Sequence, residues 1–290
     1  MRRFFLLMLT FVTSLAAFGQ AATQTIQLYP DGPDESNGLE GKEQTISNGR
    51  VCDISSPRME VFLPEKPNGQ AVVICPGGGY QRVAARHEGS LFAEWLNSMG
   101  TTAVVLYYRM PNGHTEIPRK DVLRAVELVR SKADEWHIDA HKVGVMGFSA
   151  GGHLAATALT KYDSAANRPD FGVLLYPVVT MKEEYTHAGS RNHLLGPKPK
   201  YATVRKWSLE ECVTADTPEC FLALSDDDRS VPPANSTLFY NALKAHGVAA
   251  EMHIYPTGGH GWGFNGEKFA PYHDEFLAAL AEWLERQRTK

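Results

Sequence analysis

Short apolar segments alternate with amphipathic segments along most of the chain. Runs rich in β-branched residues, such as 71–76 and 102–108, predict buried strands. Residues 118–136 begin with Pro118 and repeat apolar side chains at helical spacing, which predicts a helix between two such strands.

The same patterns predict further strands and helices along the chain. The predicted strands cover 59–64, 71–76, 102–108, 142–148, 171–177, 220–225 and 251–256, and the predicted helices cover 88–99, 118–136, 151–160, 234–246 and 271–287. Strands that alternate with helices through short connections are typical of parallel sheets with helices on both faces. We therefore expect an α/β fold with a mostly parallel central sheet.

Two segments depart from this alternation. Residues 20–57 are rich in Gly, Asn, Ser and Asp, and we interpret them as an extended N-terminal lead-in with one strand. Residues 180–217 mix Gly, Pro and charged residues, and we interpret them as an insertion near the C-terminal edge of the sheet. The remaining alternation predicts one catalytic domain over residues 58–290.

The first 19 residues have the order of a secretory signal peptide. Arg2 and Arg3 precede an apolar stretch, and small residues follow, with Ala17 and Gly19 at the positions before a cleavage site. The alternative is a membrane anchor, but the apolar stretch is shorter than the roughly 20 residues that a bilayer requires. We expect cleavage after Gly19 and a secreted or periplasmic protein that is not held at a membrane.

Composition excludes some classes of function. The net charge of −4 and the absence of basic motifs argue against nucleic acid as a partner. The four cysteines form no C-x-x-C pair, so we expect no metal site. In an exported protein, Cys212 and Cys220 could form a disulfide. We interpret Cys75 as a buried apolar residue.

The clearest chemical signal is the sequence Gly147-Phe148-Ser149-Ala150-Gly151, which follows one predicted strand and opens a helix. A G-x-S-x-G motif alone is weak, but this context is the one that a nucleophile elbow requires. The alternative is a tight glycine turn with a bystander serine. We interpret Ser149 as a nucleophile at a helix N-terminus, where developing negative charge is stabilised.

A second glycine run, 76–80 with the sequence PGGGY, follows the strand 71–75. Its backbone amides could approach a substrate closely and form an oxyanion hole. The lipase and esterase version of this motif begins with His, and Pro76 stands in its place. A phosphate-binding loop is the alternative, but neither G-K-[ST] nor G-x-G-x-x-G is present.

The acid and the base follow later strands. Asp226, Asp227 and Asp228 come after 220–225, and the pattern D-x-x-V-P favours Asp228, with Asp227 as the alternative. A calcium loop would need alternating acids, which are missing. His260 lies in a glycine-rich loop after the last strand. The order Ser149, Asp228, His260 is the order of α/β-hydrolase triads.

These residues resemble the α/β-hydrolase superfamily, and within it the bacterial secreted carbohydrate esterases related to acetylxylan and feruloyl esterases. The resemblance covers about 58–287 and is carried by the segments CPGGGY, HEG, YYRMP, GFSAGGHLAA, SDDDRSVPPANS and YPTGGHGWGF. It implies the α/β-hydrolase fold, with the amides of Gly78, Gly79 and Ala150 in the oxyanion hole. We interpret Glu88 and Arg109, which lie in recurring segments of the family, as structural or supporting residues, with substrate contact as the alternative.

The resemblance implies a serine esterase that needs no metal or organic cofactor and forms an acyl-enzyme on Ser149. Its expected substrate is an acylated polysaccharide such as xylan, with acetyl as the acyl group. Tyr80 and Trp262 flank the site in sequence and could stack on a sugar, or they could be packing residues.

Three alternatives use the same fold. A prolyl-oligopeptidase-like serine peptidase has the same catalytic domain, but such enzymes carry a large N-terminal propeller that is not expected in residues 20–57. A lipase would need a more apolar cap than 180–217 provides. A catalytically dead carbohydrate-binding protein is the third alternative, and the complete triad argues against it.

Overall fold

A computed structural model describes residues 22–39, 41–264 and 266–290 of the chain. The expected signal peptide, residues 1–19, lies outside these ranges. In the described part, no helix combines the length and the apolar character that crossing a membrane requires.

The described residues form eleven strands and eight α-helices. The strands are β1 (Gln24–Gln27), β2 (Gln44–Ile46), β3 (Arg50–Cys52), β4 (Arg58–Phe62), β5 (Ala71–Cys75), β6 (Arg82–Val83), β7 (Thr102–Tyr107), β8 (Val143–Phe148), β9 (Gly172–Leu175), β10 (Cys220–Ser225) and β11 (Ala250–Tyr255). The helices are α1 (Leu91–Ser98), α2 (Glu116–Ser131), α3 (Ala133–Trp136), α4 (Ser149–Thr160), α5 (Ala188–Leu195), α6 (Tyr201–Lys206), α7 (Ala234–Ala245) and α8 (His273–Thr289).

The main sheet has eight strands in the order β1-β4-β7-β5-β8-β9-β10-β11. β1 and β4 pair antiparallel with their neighbours at one edge, and the six strands from β7 to β11 are parallel to one another. This confirms the mostly parallel α/β sheet. β5, β7 and β8 are buried along their whole length, which explains their continuous apolar sequences.

Helices cover both faces of this sheet. Successive residues of a strand point to opposite faces, so neighbouring positions of β8 identify the two layers. A Cβ at Gly147 would touch Ala155 of α4, whereas the ring of Phe148 lies 4.8 Å from that of Phe92 in α1. α2 packs on α4, and Phe92 contacts Phe276 of α8, so each face carries its own pair of helices.

The structure adds elements that the hydrophobic pattern did not predict. The lead-in carries three strands rather than one, and β2 and β3 form a small antiparallel sheet with β6. The insertion 180–217 contains α5 and α6. Short elements with few buried residues give little periodicity, which is why the sequence pattern missed them.

Other differences concern boundaries and cysteines. The helix expected over 118–136 ends at Ser131 and is followed by the separate α3, which stops at His137 in the left-handed conformation. Cys212 and Cys220 are both free, so the disulfide that the spacing allowed is not formed. Cys75 is fully buried in β5, as expected for an apolar residue.

Arg109 is a structural residue in this fold. Its guanidinium is buried and forms a bidentate ion pair with Asp121 of α2, with Nη2 of Arg109 at 2.6 Å from Oδ1 of Asp121. A third bond reaches the carbonyl of Glu35 in the lead-in. Arg109 therefore ties the N-terminal segment to the main domain and does not face a substrate.

Candidate active site

Ser149 lies at a sharp turn between β8 and α4. Its φ of 52° is in the left-handed region, which is strained for any residue other than glycine. A Cβ at Gly147 would collide with the carbonyl of Gly151, and a Cβ at Gly151 would collide with that of Cys75. The two glycines are therefore required by close backbone approach, and the turn has the geometry of a nucleophile elbow.

The neighbouring parallel strands deliver the other two side chains to the same edge of the sheet. β10 and β11 end side by side, with Ser225 opposite Tyr255, and the loops after them carry Asp228 and His260. Nε2 of His260 lies 2.8 Å from Oγ of Ser149, and Nδ1 lies 2.6 Å from Oδ2 of Asp228. The structure thus brings all three predicted triad residues into one line.

The position of Asp228 is fixed by the backbone around it. Its carboxylate is buried, and Oδ1 accepts hydrogen bonds from the amides of Ser230 and Val231, each at 2.9 Å. Asp227, the alternative acid, instead accepts a bond from the amide of Gly259 at 2.7 Å. Asp227 therefore holds the loop that carries His260, and Asp228 holds the imidazole itself.

These contacts define the proton positions that the site requires. With Nδ1–H donated to Asp228, the unprotonated Nε2 of His260 accepts the hydroxyl hydrogen of Ser149. His260 can then take that proton as a general base while the buried carboxylate stabilises the imidazolium. The arrangement can perform nucleophilic acyl transfer.

The glycine loop after β5 lies beside the nucleophile. The amide of Gly77 is already bonded to Oε2 of Glu88 at 2.8 Å. Gly78 and Gly79 line the cavity over Ser149, and their amides have no acceptor within the described ranges. Ala150 lies in the first turn of α4, where amides have no intrahelical acceptor. These three residues remain our candidates for the oxyanion hole.

Glu88 links this loop to the histidine loop. It is buried, accepts the Gly77 amide with one carboxylate oxygen, and accepts the phenol of Tyr176 with the other at 2.8 Å. The same phenol oxygen accepts the amide of Gly263 at 3.0 Å, and the Tyr176 ring lies 5.1 Å from that of His260. Burial raises the pKa of Tyr176 well above its usual value, so it remains a donor.

A cavity of about 420 Å³ opens over the triad. Its walls are polar side chains and glycines, with Ala84 as the one aliphatic side chain among the described lining residues. The insertion contributes His187, Gly189 and His193 to the wall. Nδ1 of His187 accepts the amide of Ser190, and partial burial lowers the His187 pKa.

Tyr80 and Trp262 do not line the cavity over Ser149, and their burial favours the packing interpretation over stacking on a sugar, although Trp262 borders an adjoining cavity. Tyr80 is 2% exposed, and its hydroxyl bonds Nδ1 of His153 at 2.8 Å. Trp262 is 3% exposed and stacks on Phe269 at 3.9 Å. Both rings pack inside the domain, because the loops that carry them fold inwards beneath the site.

Sequence reasoning missed several residues around the site. Arg50 comes from the lead-in, Arg82 from β6 just after the glycine run 76–80, and His187 and His193 from the insertion. Tyr176 directly follows β9, and its φ of 37° is positive. Apart from Arg82, these residues lie in segments without a motif, so no signal in the sequence assigns their side chains to the site.

Comparison with known proteins places the chain in a family. A model of the prolyl oligopeptidase family matches residues 107–287. The chain is 38% identical over 240 residues to an acetylxylan esterase of Xylanibacter ruminicola, covering 81% of this chain and 49% of that protein. It is 36% identical over 204 residues to endo-1,4-beta-xylanase B of Butyrivibrio fibrisolvens, covering 66% and 32%. The chain thus spans half or less of these two curated relatives.

A solved structure is similar over nearly the whole domain. The acetyl ester-xyloside bifunctional hydrolase of Caldicellulosiruptor lactoaceticus is 35% identical, with a TM-score of 0.75, and the match covers 91% of this chain and 96% of that one. The expected superfamily is confirmed by this likeness and by the family model, which spans well over half of the sequence. The chain belongs to the prolyl oligopeptidase family of α/β-hydrolases.

Proposed function

We propose that this protein is a serine esterase that removes short acyl groups, acetyl in the first place, from a plant polysaccharide such as xylan. The observation that carries the proposal is the line of hydrogen bonds from Ser149 through His260 to Asp228 beneath a small polar cavity. Relatives named for acetylxylan and acetyl-xyloside hydrolysis support the substrate class.

The mechanism follows from the contacts of the site. His260 takes the hydroxyl proton of Ser149 as Oγ attacks the ester carbonyl. The negative oxygen is stabilised by the amides of Gly78, Gly79 and Ala150, and the sugar hydroxyl leaves with the proton from His260. Water, deprotonated by His260, then attacks the acyl-enzyme and releases the acid.

The cavity favours a short acyl group. Among the described lining residues Ala84 is the one aliphatic side chain, so a long hydrocarbon chain would meet no large aliphatic group of the kind that stabilises long chains in lipases. An acetyl group needs only a small space beside Ser149. A sugar can use the many hydrogen-bonding groups of the walls.

A second candidate is peptide hydrolysis, because the matching family model is that of prolyl oligopeptidases. Amide and ester hydrolysis use the same triad, so the geometry of Ser149 does not separate them. The polar cavity and the esterase relatives favour the ester.

Export is part of the proposal. An acylated polysaccharide is an external polymer, and residues 1–19 have the order of a signal peptide. We propose that the mature enzyme acts outside the cytoplasm.

The test is to incubate the purified protein with acetylated xylan, feruloylated arabinoxylan and a series of peptide anilides, and to identify the products. Acetate released from xylan at the highest kcat/KM is the expected result. Efficient cleavage of a peptide anilide, without hydrolysis of acetylated xylan, would replace the proposal with the peptidase. A Ser149→Ala variant is the control for contaminating esterases.

A further inference from the structure

Three arginines surround the entrance to the catalytic cavity. Arg50 begins β3 and Arg82 begins β6, the strand that pairs with it, and both side chains line the cavity with Ser149 and His260. Arg86 lines an adjoining cavity of about 540 Å³ that shares Arg50, His87 and Gly261 with the first. The small sheet of β2, β3 and β6 thus brings two arginines to the catalytic cavity.

These arginines differ from most others in the fold. Arg58, Arg109 and Arg130 each pair with a carboxylate at 2.6–2.7 Å. Within the described ranges, no carboxylate lies within ion-pair distance of Arg50, Arg82 or Arg86, and Arg82 bonds only the neutral amide of Gln81. Arg50 and Arg82 are half-buried residues and Arg86 is exposed, so arginine donors at the cavity walls remain free for a ligand.

Arg82 also contacts the candidate oxyanion loop. A Cβ on Gly78 would lie 2.7 Å from Cγ of Arg82, so the stem of this arginine packs on that loop. Arg82 lines the same cavity as Ser149 and His260. Arg50 faces both cavities, which together have room for more than the acyl group.

The acidic groups of the two cavities do not neutralise this charge. Glu88 lines the first cavity, but its carboxylate already accepts the Gly77 amide and the Tyr176 phenol. Glu267 lines the second cavity on an exposed turn. The chain as a whole has a net charge of −4, so the positive charge is a local feature of the entrance.

We propose that Arg50 and Arg82 bind a carboxylate of the substrate, and that the preferred substrate is an acylated polysaccharide with a uronic acid residue close to the acyl ester. This inference rests on the proposed esterase function. A planar guanidinium matches a carboxylate with two parallel hydrogen bonds, and such charge-assisted bonds are stronger than those to neutral hydroxyls. A neutral sugar has no carboxylate to pair with, so both guanidinium groups would remain hydrogen-bonded to water.

The experiment uses two acetylated xylo-oligosaccharides of equal length. One carries a glucuronic acid branch beside the acetylated xylose, and the other carries a glucose branch at the same position. The readout is the ratio of the two kcat/KM values for acetate release, because losses of folding or catalysis affect both substrates and cancel. We expect the wild type to prefer the acidic substrate by about tenfold at low salt.

The variants identify the residues responsible. Arg50→Gln and Arg82→Gln should each bring the ratio towards one. Arg82→Lys keeps the charge but not the planar guanidinium, so its ratio should lie between that of the wild type and that of Arg82→Gln. Arg124→Gln is the matched control on α2, where the arginine pairs with Glu127 outside both cavities, and should keep the wild-type ratio. About 0.5 M NaCl should reduce the preference by screening.

The outcomes separate the two proposals. A wild-type ratio near one overturns the uronic acid inference and leaves the esterase proposal standing. A preference that survives Arg50→Gln, Arg82→Gln and their double variant also overturns it. No acetate release from either oligosaccharide overturns the esterase proposal, and the inference with it.

Discussion

The phenol of Tyr176 donates a hydrogen bond to the buried carboxylate of Glu88 at 2.8 Å, across 88 positions of the sequence. Through this contact the end of β9 joins the loop beside the oxyanion hole to the loop that carries His260. This pair of side chains thus helps to hold the two halves of the site together, beside a backbone hydrogen bond from Phe264 to His87, and neither side chain touches the reacting atoms.

Tyr176→Phe should therefore loosen the site without removing a catalytic group. We expect kcat to fall about tenfold with little change in KM, since small misplacements of catalytic groups are costly. Steady-state kinetics on an acetyl ester measures this split. The control is Tyr255→Phe, which removes a buried phenol oxygen that has no hydrogen-bond partner in the described part of the chain. Equal effects of the two substitutions would argue against a positioning role for Tyr176.

Substitutions of the triad residues and of Asp227 should lower kcat by different amounts. Ser149→Ala and His260→Ala should each lower kcat by about 10⁵ to 10⁶, because the three residues act as a unit. Asp228→Asn should cost about 10⁴, since it disturbs the tautomer of His260. Asp227→Asn should cost much less, because the hydrogen bond of Asp227 in the described part of the chain is to the Gly259 backbone and not to His260. A larger loss for Asp227→Asn than for Asp228→Asn would show that the acid is misassigned.

The lack of a large aliphatic side chain among the described residues of the cavity wall predicts a steep dependence on acyl length. From acetyl to butyryl to octanoyl 4-nitrophenyl esters, kcat/KM should fall at each step. A methylene that a pocket does not accommodate costs roughly 1–3 kcal/mol, or about 10–200-fold. A flat or rising profile would instead indicate a lipase-like site. Measurements below the micelle-forming concentration of the octanoyl ester keep the comparison on dissolved substrate.

His153 predicts a specific loss of stability in acid. Its ring is fully buried between the Tyr80 hydroxyl and the Trp207 carbonyl, and burial lowers its pKa from 6.5 to about 4. As pH falls below 6.5 the unfolded chain gains a proton at His153 while the folded chain does not. The contribution of this neutral ring is therefore complete above about pH 6.5, declines down to about pH 4, and is on the order of 3 kcal/mol in total.

Denaturant unfolding from pH 7 to pH 4 tests this assignment. His153→Gln keeps a donor and an acceptor but cannot titrate, so its stability should depend less on pH across this window than that of the wild type. His246→Gln, on the exposed end of α7, should keep the wild-type slope. Parallel curves for wild type and His153→Gln would refute the role of His153.

Export makes a prediction about the mature N-terminus. Protein recovered from the periplasm or the medium should begin at Gln20 or within a few residues of it, because cleavage is expected after Gly19. Mass spectrometry of the intact exported chain measures this. Exported protein that retains Met1 would rule out cleavage.

The sequence by itself determined the central part of this molecule. Buried parallel strands need apolar runs, so β5, β7, β8 and β10 are visible as such runs. A nucleophile elbow requires glycines two positions on either side of Ser149, and an oxyanion loop requires amides without side chains in the way. These requirements apply to residues that are close together in the sequence, and they are therefore recognisable as sequence motifs.

Tertiary structure alone decided what surrounds those motifs. Tyr80 and Trp262 stand next to the catalytic segments in sequence, yet the fold turns both rings into the core, where each finds aromatic or polar partners. Arg50 reaches the cavity because β3 of the lead-in pairs with β6, the strand that carries Arg82 beside the catalytic loop. The wall of a cavity is formed by segments that are far apart in the chain. Contacts between such segments require no fixed spacing of residues in the sequence, so the residues that line the cavity can be identified only from the folded structure.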